Sequence, residues 1–187
     1  MQEYDEELWC ADKGVVANFG DPSREKTKDL FCKTDVFIIT LGLSEVWYNK
    51  QTGGVFWRAI PANLFDKNKH GFRTLTHAET KDRLLDIISV IRECVGDVPI
   101  IFTLSPVRLA ATFRGMSAVV ANTASKAILR SAIDEVMSSN PKNVWYWPSY
   151  EMVRIHPDAY EQRNTHPDRN IIEKIMKAFL KGWTTGQ

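Results

Sequence analysis

Three short, continuously apolar runs, separated by long stretches of helical periodicity, constrain this chain more than any other feature. The first is Asp35-Val36-Phe37-Ile38-Ile39-Thr40-Leu41-Gly42. The second is Val98-Pro99-Ile100-Ile101-Phe102-Thr103-Leu104, closed by Ser105-Pro106, and the third is Val144-Trp145-Tyr146-Trp147, closed by Pro148-Ser149. Apolar, β-branched runs without polar alternation belong to strands covered on both faces. The first run is therefore expected as a central strand. Between the runs, Thr76 and Glu79 form a capping box. Leu84, Ile87, Ile88, Ile91 and Val95 then recur at helical spacing up to Gly96. Ser117 can cap a second helix carrying Val120, Ala124, Ile128, Ile133 and Met137 along one face. After Pro167 a last helix sets Ile171, Ile172, Ile175, Met176, Phe179 and Leu180 inward and Lys174, Lys177 and Lys181 outward. Strands alternating with helices predict an α/β fold, a three-layer parallel sheet with helices on both faces of the flavodoxin-like kind.

The chain's 187 residues suit one domain, residues 1–187. The stretch from Gly42 to Arg73 breaks the rhythm, with Gly53-Gly54 and a short aromatic run inside it. Its length predicts an inserted loop or hairpin at about residues 46–74. The first twenty residues read as irregular, and Asp21-Pro22-Ser23 as a helix start for Arg24 to Lys33. With 24 basic and 23 acidic residues the net charge is +1, so no global field favours nucleic acid or anionic lipid as a partner. Cys10, Cys32 and Cys94 are too few and too scattered for a zinc site or a disulfide framework. Cys94 falls on an apolar helix stripe, where it is expected to be buried as a small hydrophobe. His70, His77 and His156 show no metal spacing and are expected at the surface, so neither a metal nor another cofactor is expected. No signal segment and no membrane-spanning run is visible, which predicts a soluble, cytoplasmic protein.

Ligands of parallel sheets bind beyond the carboxyl ends of the strands. Three segments reach that edge: Gly42-Leu43-Ser44-Glu45, Ser105-Pro106-Val107-Arg108 and Pro148-Ser149-Tyr150-Glu151, with His166 just before the last helix. Ser125-Lys126 is not a mutual catalytic pair, because adjacent helix residues point apart.

The segment Asp35 to Trp47, reading DVFIITLGLSEVW, resembles the central motif of the GSCFA family. Thr103-Leu104-Ser105-Pro106-Val107 resembles that family's second strand and turn, Ala121 to Arg130 its helix signature, and Trp147-Pro148-Ser149-Tyr150-Glu151 its third-strand end. The similarity runs from roughly residue 9 to the last helix. That family is similar to SGNH (GDSL-type) hydrolases, which cleave or transfer acyl esters, often on carbohydrate. The resemblance implies the C-terminal portion of a GSCFA-type, SGNH-like domain, lacking the first strand and the nucleophile segment. Gly42 then falls at an oxyanion-loop glycine, where it lets the chain turn sharply, and Ser44 at the position of the usual asparagine donor. Glu45 and Ser105 are candidate substrate contacts, and His166 is the catalytic base. Arg163 stands where the family class has an aspartate orienting that base, with Glu161 the nearest substitute.

The chemistry needs these types of residue. A serine hydroxyl attacks only once an imidazole takes its proton, and the tetrahedral oxyanion needs donors fixed beforehand. The expected function is ester hydrolysis or O-acyl transfer or deacylation on a small ester or acylated carbohydrate. The alternative is a non-catalytic accessory or binding subunit. A partner chain or second copy is expected to cover the region of the missing first strand.

Overall fold

The computed structural model describes residues 2–3, 28–56, 59–156, 159–160 and 165–184. In chain order the elements are β1 (Gln2–Glu3), β2 (Phe37–Leu41), β3 (Glu45–Asn49), β4 (Val55–Phe56), β5 (His70–Thr74), α1 (His77–Val95), β6 (Ile100–Leu104), α2 (Ala118–Ser138), β7 (Val144–Trp147), α3 (Ser149–Arg154) and α4 (Arg169–Thr184). Residues 28–32 are also helical. The expected helix start at Asp21-Pro22-Ser23, together with Cys10, Glu161 and Arg163, lies outside the described residues. The chain divides into two compact units, one drawn from residues 1–34 and 44–76 and a larger one from 35–43 and 77–187.

The larger unit is the layered α/β body. Its parallel strands run in the order β2-β6-β7. Every position of β6 is buried, and Ile100, Phe102 and Leu104 are fully enclosed. Side chains on β7 alternate between faces, as the pleat requires. Trp145 and Trp147 meet Trp183 and Phe179 of α4 edge-on at 5.3 and 5.2 Å. Tyr146, between them, lies 4.6 Å under the Arg130 guanidinium of α2. So α4 covers one face of the sheet and α2 the other, with α1 packed beside α2. Ser117 caps α2 by accepting from the Val120 amide. Asp168 does the same for α4, its carboxylate accepting from Asn170 N at 2.8 Å.

In the larger unit three expectations are corrected. The central strand is β6, whereas β2 has no strand on its outer side among the described residues, and Ile38 is 55% exposed. A continuously apolar run cannot tell the middle of a sheet from an edge with an apolar neighbour. Cys94 is exposed rather than buried, because α1 buries the stripe of Thr80, Leu84, Ile88 and Ile91. In α4 only part of the apolar side is covered: Ile171 and Ile175 pack on Val153 and Ala159, while Ile172, Met176 and Leu180 remain exposed.

The smaller unit is a four-stranded sheet of order β1-β4-β3-β5, in which β3 pairs antiparallel with both β4 and β5. The β3–β4 turn is closed by Asn49, whose side-chain oxygen accepts from Gln51 N and Thr52 N, and by Gly53 at φ +72°. Trp47, Phe56 and Ile60 form its core, with Leu64 and Phe72 against them. His70 is buried in this sheet rather than at the surface, and its Nδ1 accepts from Asp66 N at 3.0 Å. An acceptor Nδ1 fixes the neutral tautomer with the proton on Nε2.

Gly71 faces Tyr48 across the β3–β5 ladder, and a Cβ there would sit 2.4 Å from the tyrosine ring. Gly71→Ala is expected to cost about 1–3 kcal/mol by forcing the ring to move. Denaturant unfolding checks this, and the extra cost should vanish in a Tyr48→Ala background.

Candidate functional site

The carboxyl ends of the three parallel strands are held by one stripe of α2. Asn122, Lys126 and Arg130 recur every four residues, which places them along one side of the helix. Each ties down the loop after a different strand. Lys126 Nζ donates to Gly42 O, directly after β2, at 2.7 Å. Asn122 Oδ1 accepts from Leu109 N, in the loop after β6, at 3.0 Å. Arg130 Nε donates to Glu151 Oε1, in α3 after β7, at 2.8 Å. The other Glu151 oxygen accepts from Tyr146 OH at 2.7 Å. Burial first, and then the Glu151 carboxylate, push the Tyr146 phenol well above its usual range. The carboxylate that follows β7 is therefore a clamp between sheet and helix.

Lys126 is 2% exposed and has no carboxylate partner among the described residues. Burial brings its ammonium down to about 8. The ammonium fixes the Gly42–Leu43 peptide by its oxygen. In a planar trans peptide the N–H points opposite to the C=O, so the Leu43 amide is turned away from Lys126. Glycine is not required at position 42 by the backbone. Its φ is not positive, and a Cβ there would meet nothing within 4 Å. A left-handed backbone angle is therefore not what glycine supplies here, and what it leaves at this edge is open space.

On the α4 face of the sheet lies a groove of about 280 Å³. Its floor includes Thr40 and Thr103, which with Trp147 form one row across the paired strands. Ile172, Ile175, Met176 and Phe179 of α4 line it as well, and His166 and Pro167 stand among its lining residues. His166 is set there by its neighbours. Thr165 O accepts from Arg108 N at 2.8 Å, Asp168 N donates to Ala159 O at 2.8 Å, and Pro167 is buried. The imidazole Nδ1 lies 3.2 Å from Thr165 Oγ1. Beside the apolar wall is one hydroxyl pair. Ser149 Oγ donates to Leu104 O at 2.9 Å. Its only proton is thereby used, so in the 2.5 Å contact with Thr103 Oγ1 it is Thr103 that donates.

The expected site residues are not all brought together. His166 lines the groove. Gly42 and Ser105 stand at the same end of the sheet but are not among the groove's lining residues. Ser105 N donates to Leu41 O, and its hydroxyl accepts from Val107 N, so it organises the turn. Ser44 and Glu45 belong to the smaller unit. There Ser44 is buried with its carbonyl accepting from Leu75 N, and Glu45 opens β3 opposite Thr74. Thr40 and Thr103 entered the sequence reading only as parts of strands, and Ser149 only within the segment that closes the third strand. The signal for Lys126 was present: a lysine in a helix stripe shared with Ala121, Ser125, Leu129 and Ile133, all buried. Among the described residues no group of three or more His, Cys, Asp or Glu can hold a metal ion. No helix among them is long and apolar enough to cross a membrane.

The depressed Lys126 makes stability depend on pH. Between about pH 8 and the unfolded lysine value the unfolded chain holds the extra proton, so unfolding free energy rises as pH rises. Relative to Lys126→Met, the wild type should gain about 3 kcal/mol from neutral pH to pH 11. Chemical denaturation of the two proteins across that range checks the gain. Amide exchange at Leu43 should be faster in the variant, because Gly42 O has lost its anchor.

Comparison with curated proteins found no match. A family model does match, over residues 2–179, and its description is the GSCFA family. That span takes in the three parallel strands, the polar stripe of α2 and His166, and the chain belongs to the GSCFA family.

Proposed function

We propose that the larger unit carries the base and positioning half of an ester-cleaving or acyl-transferring site of the SGNH-hydrolase kind, acting on a small ester or acylated carbohydrate. The observation that carries this reading is the position of His166. It stands at the carboxyl end of a parallel sheet, against a groove whose wall is apolar enough to take an acyl chain. In the proposed reaction a serine hydroxyl, supplied by an upstream segment or another chain, adds to the ester carbonyl while His166 takes its proton. The tetrahedral intermediate expels the alcohol oxygen, which receives that proton from the imidazolium. Water then repeats the sequence on the acyl-enzyme, or a sugar hydroxyl does so in a transfer. The Leu43 amide, turned outward by the Lys126 bond to Gly42 O, is the backbone donor offered to the oxyanion.

A second reading has its own support. Ile38 and Thr40 are exposed on β2, beside the exposed Ile172 and Met176 of α4. Such a surface fits a strand from a partner chain or a second copy, and the chain would then be a binding subunit.

The readings part on turnover. p-Nitrophenyl butyrate hydrolysis and fluorophosphonate labelling should be measured on the chain alone and on its complex with any chain that co-purifies. The enzyme reading expects turnover that drops about 10²- to 10⁴-fold in His166→Ala. Neither turnover nor labelling in either setting would leave the binding subunit as the function.

A further inference from the structure

Next to the His166 groove is a larger cavity of about 720 Å³, which shares Pro106 and Val153 with it. Its charged lining is all of one sign: Arg108, Arg154 and, when protonated, His156, with no carboxylate among the described residues that line it. Elsewhere on this unit Arg83, Arg130 and Arg169 each meet an aspartate or glutamate. Arg108 and Arg154 meet tyrosines instead. The Arg108 guanidinium carbon lies 3.3 Å over the Tyr160 ring, and that of Arg154 lies 5.6 Å from the Tyr150 ring. Each arginine spends one N–H on its tyrosine hydroxyl, Arg154 Nη1 donating to Tyr150 OH at 3.4 Å, and a guanidinium has five N–H groups, so donors remain on both for an acceptor. Tyr160 is itself held, its hydroxyl donating to Pro106 O at 2.6 Å, so the ring is a fixed platform.

Two further features carry the same sign. Asn122 uses its side-chain oxygen on Leu109 N, so the end it keeps for a ligand is the amide donor. Ala118 and Val119, in the first turn of the 21-residue helix α2, also line the cavity, and that turn holds no acidic residue. A helix start is electropositive over that distance. The cavity is within the usual size of small-molecule sites.

We infer that this cavity is a binding site for the oxyanion group of a small organic acid, a carboxylate or a sulfate held between Arg108 and Arg154. The inference does not depend on His166 being a catalytic base, and it is tested by binding rather than by turnover. Titration calorimetry with sodium glucuronate, glucose and sodium sulfate separates the contributions. Glucuronate should bind with an affinity that falls as salt is added, and glucose should bind at least about tenfold more weakly, one charge-assisted bond being worth that much. Equal affinity for sulfate and glucuronate would support the anion site and assign the whole contribution to the charged group. Arg154→Gln and Arg108→Gln, each checked for an unchanged melting temperature, should lower glucuronate affinity about tenfold or more. If Arg108→Gln melts early, Arg154→Gln, at an exposed position, still decides. Absence of binding by both anions, or binding unchanged in Arg154→Gln, overturns the site.

Discussion

Everything placed at the carboxyl edge of the parallel sheet depends on three polar side chains of one helix. Asn122, Lys126 and Arg130 reach from α2 to the loops after β6, β2 and β7 respectively. Lys126 is the costly member. An enclosed ammonium loses its hydration and recovers one carbonyl, which is why burial lowers its affinity for a proton. A methionine would fill similar space without that penalty. What the ammonium supplies is direction, since it fixes one peptide plane where β2 ends. Arg130 achieves the same at lower cost, because its guanidinium meets both Asp134 and Glu151.

With the loops held, two cavities of opposite character lie side by side. The groove beside α4 is apolar except for His166 and the Thr40, Thr103 and Ser149 hydroxyls. The cavity beside the start of α2 is cationic and rich in donors. Pro106 and Val153 belong to both, and Thr165 of one precedes His166 of the other. The segment that aims the imidazole, through Arg108 N to Thr165 O, is therefore the same segment that carries an arginine into the neighbouring cavity.

The layered α/β fold was legible because strand runs and helix periods are local properties of sequence. Periodicity marked α1, α2 and α4, and the apolar runs marked β2, β6 and β7. The order of the strands was not local. Nothing within Phe37 to Leu41 states that its neighbour on one side is β6 and that Ile38 stays exposed. The same limit hid His70, buried by pairing with a strand more than twenty residues away. At the site, His166 was legible through resemblance, whereas the Thr103–Ser149 pair joins residues 46 positions apart and had no motif. The Gly42 case is instructive in the other direction. A glycine suggested an unusual backbone angle, yet the backbone is ordinary and the use of the small residue is the space beside it.

Among the described residues β2 is an edge strand, and that bears on both proposed roles at once. Exposed edge strands are normally guarded by lysine, proline or a bulge. Phe37-Ile38-Ile39-Thr40-Leu41 has no such residue and keeps an unbroken five-residue register with β6. An acyl chain in the groove would cover the Ile38 side chain but offers nothing to a strand backbone. A further strand laid parallel along β2 would provide that cover. Running parallel, it would also finish at the carboxyl edge, beside Gly42 and at the end of the sheet where His166 stands. One added strand would then close the sheet and bring its following residue to the place where the proposed chemistry needs a nucleophile. If the proposed reaction holds, the need for an edge cover and the need for a hydroxyl would be met by the same segment.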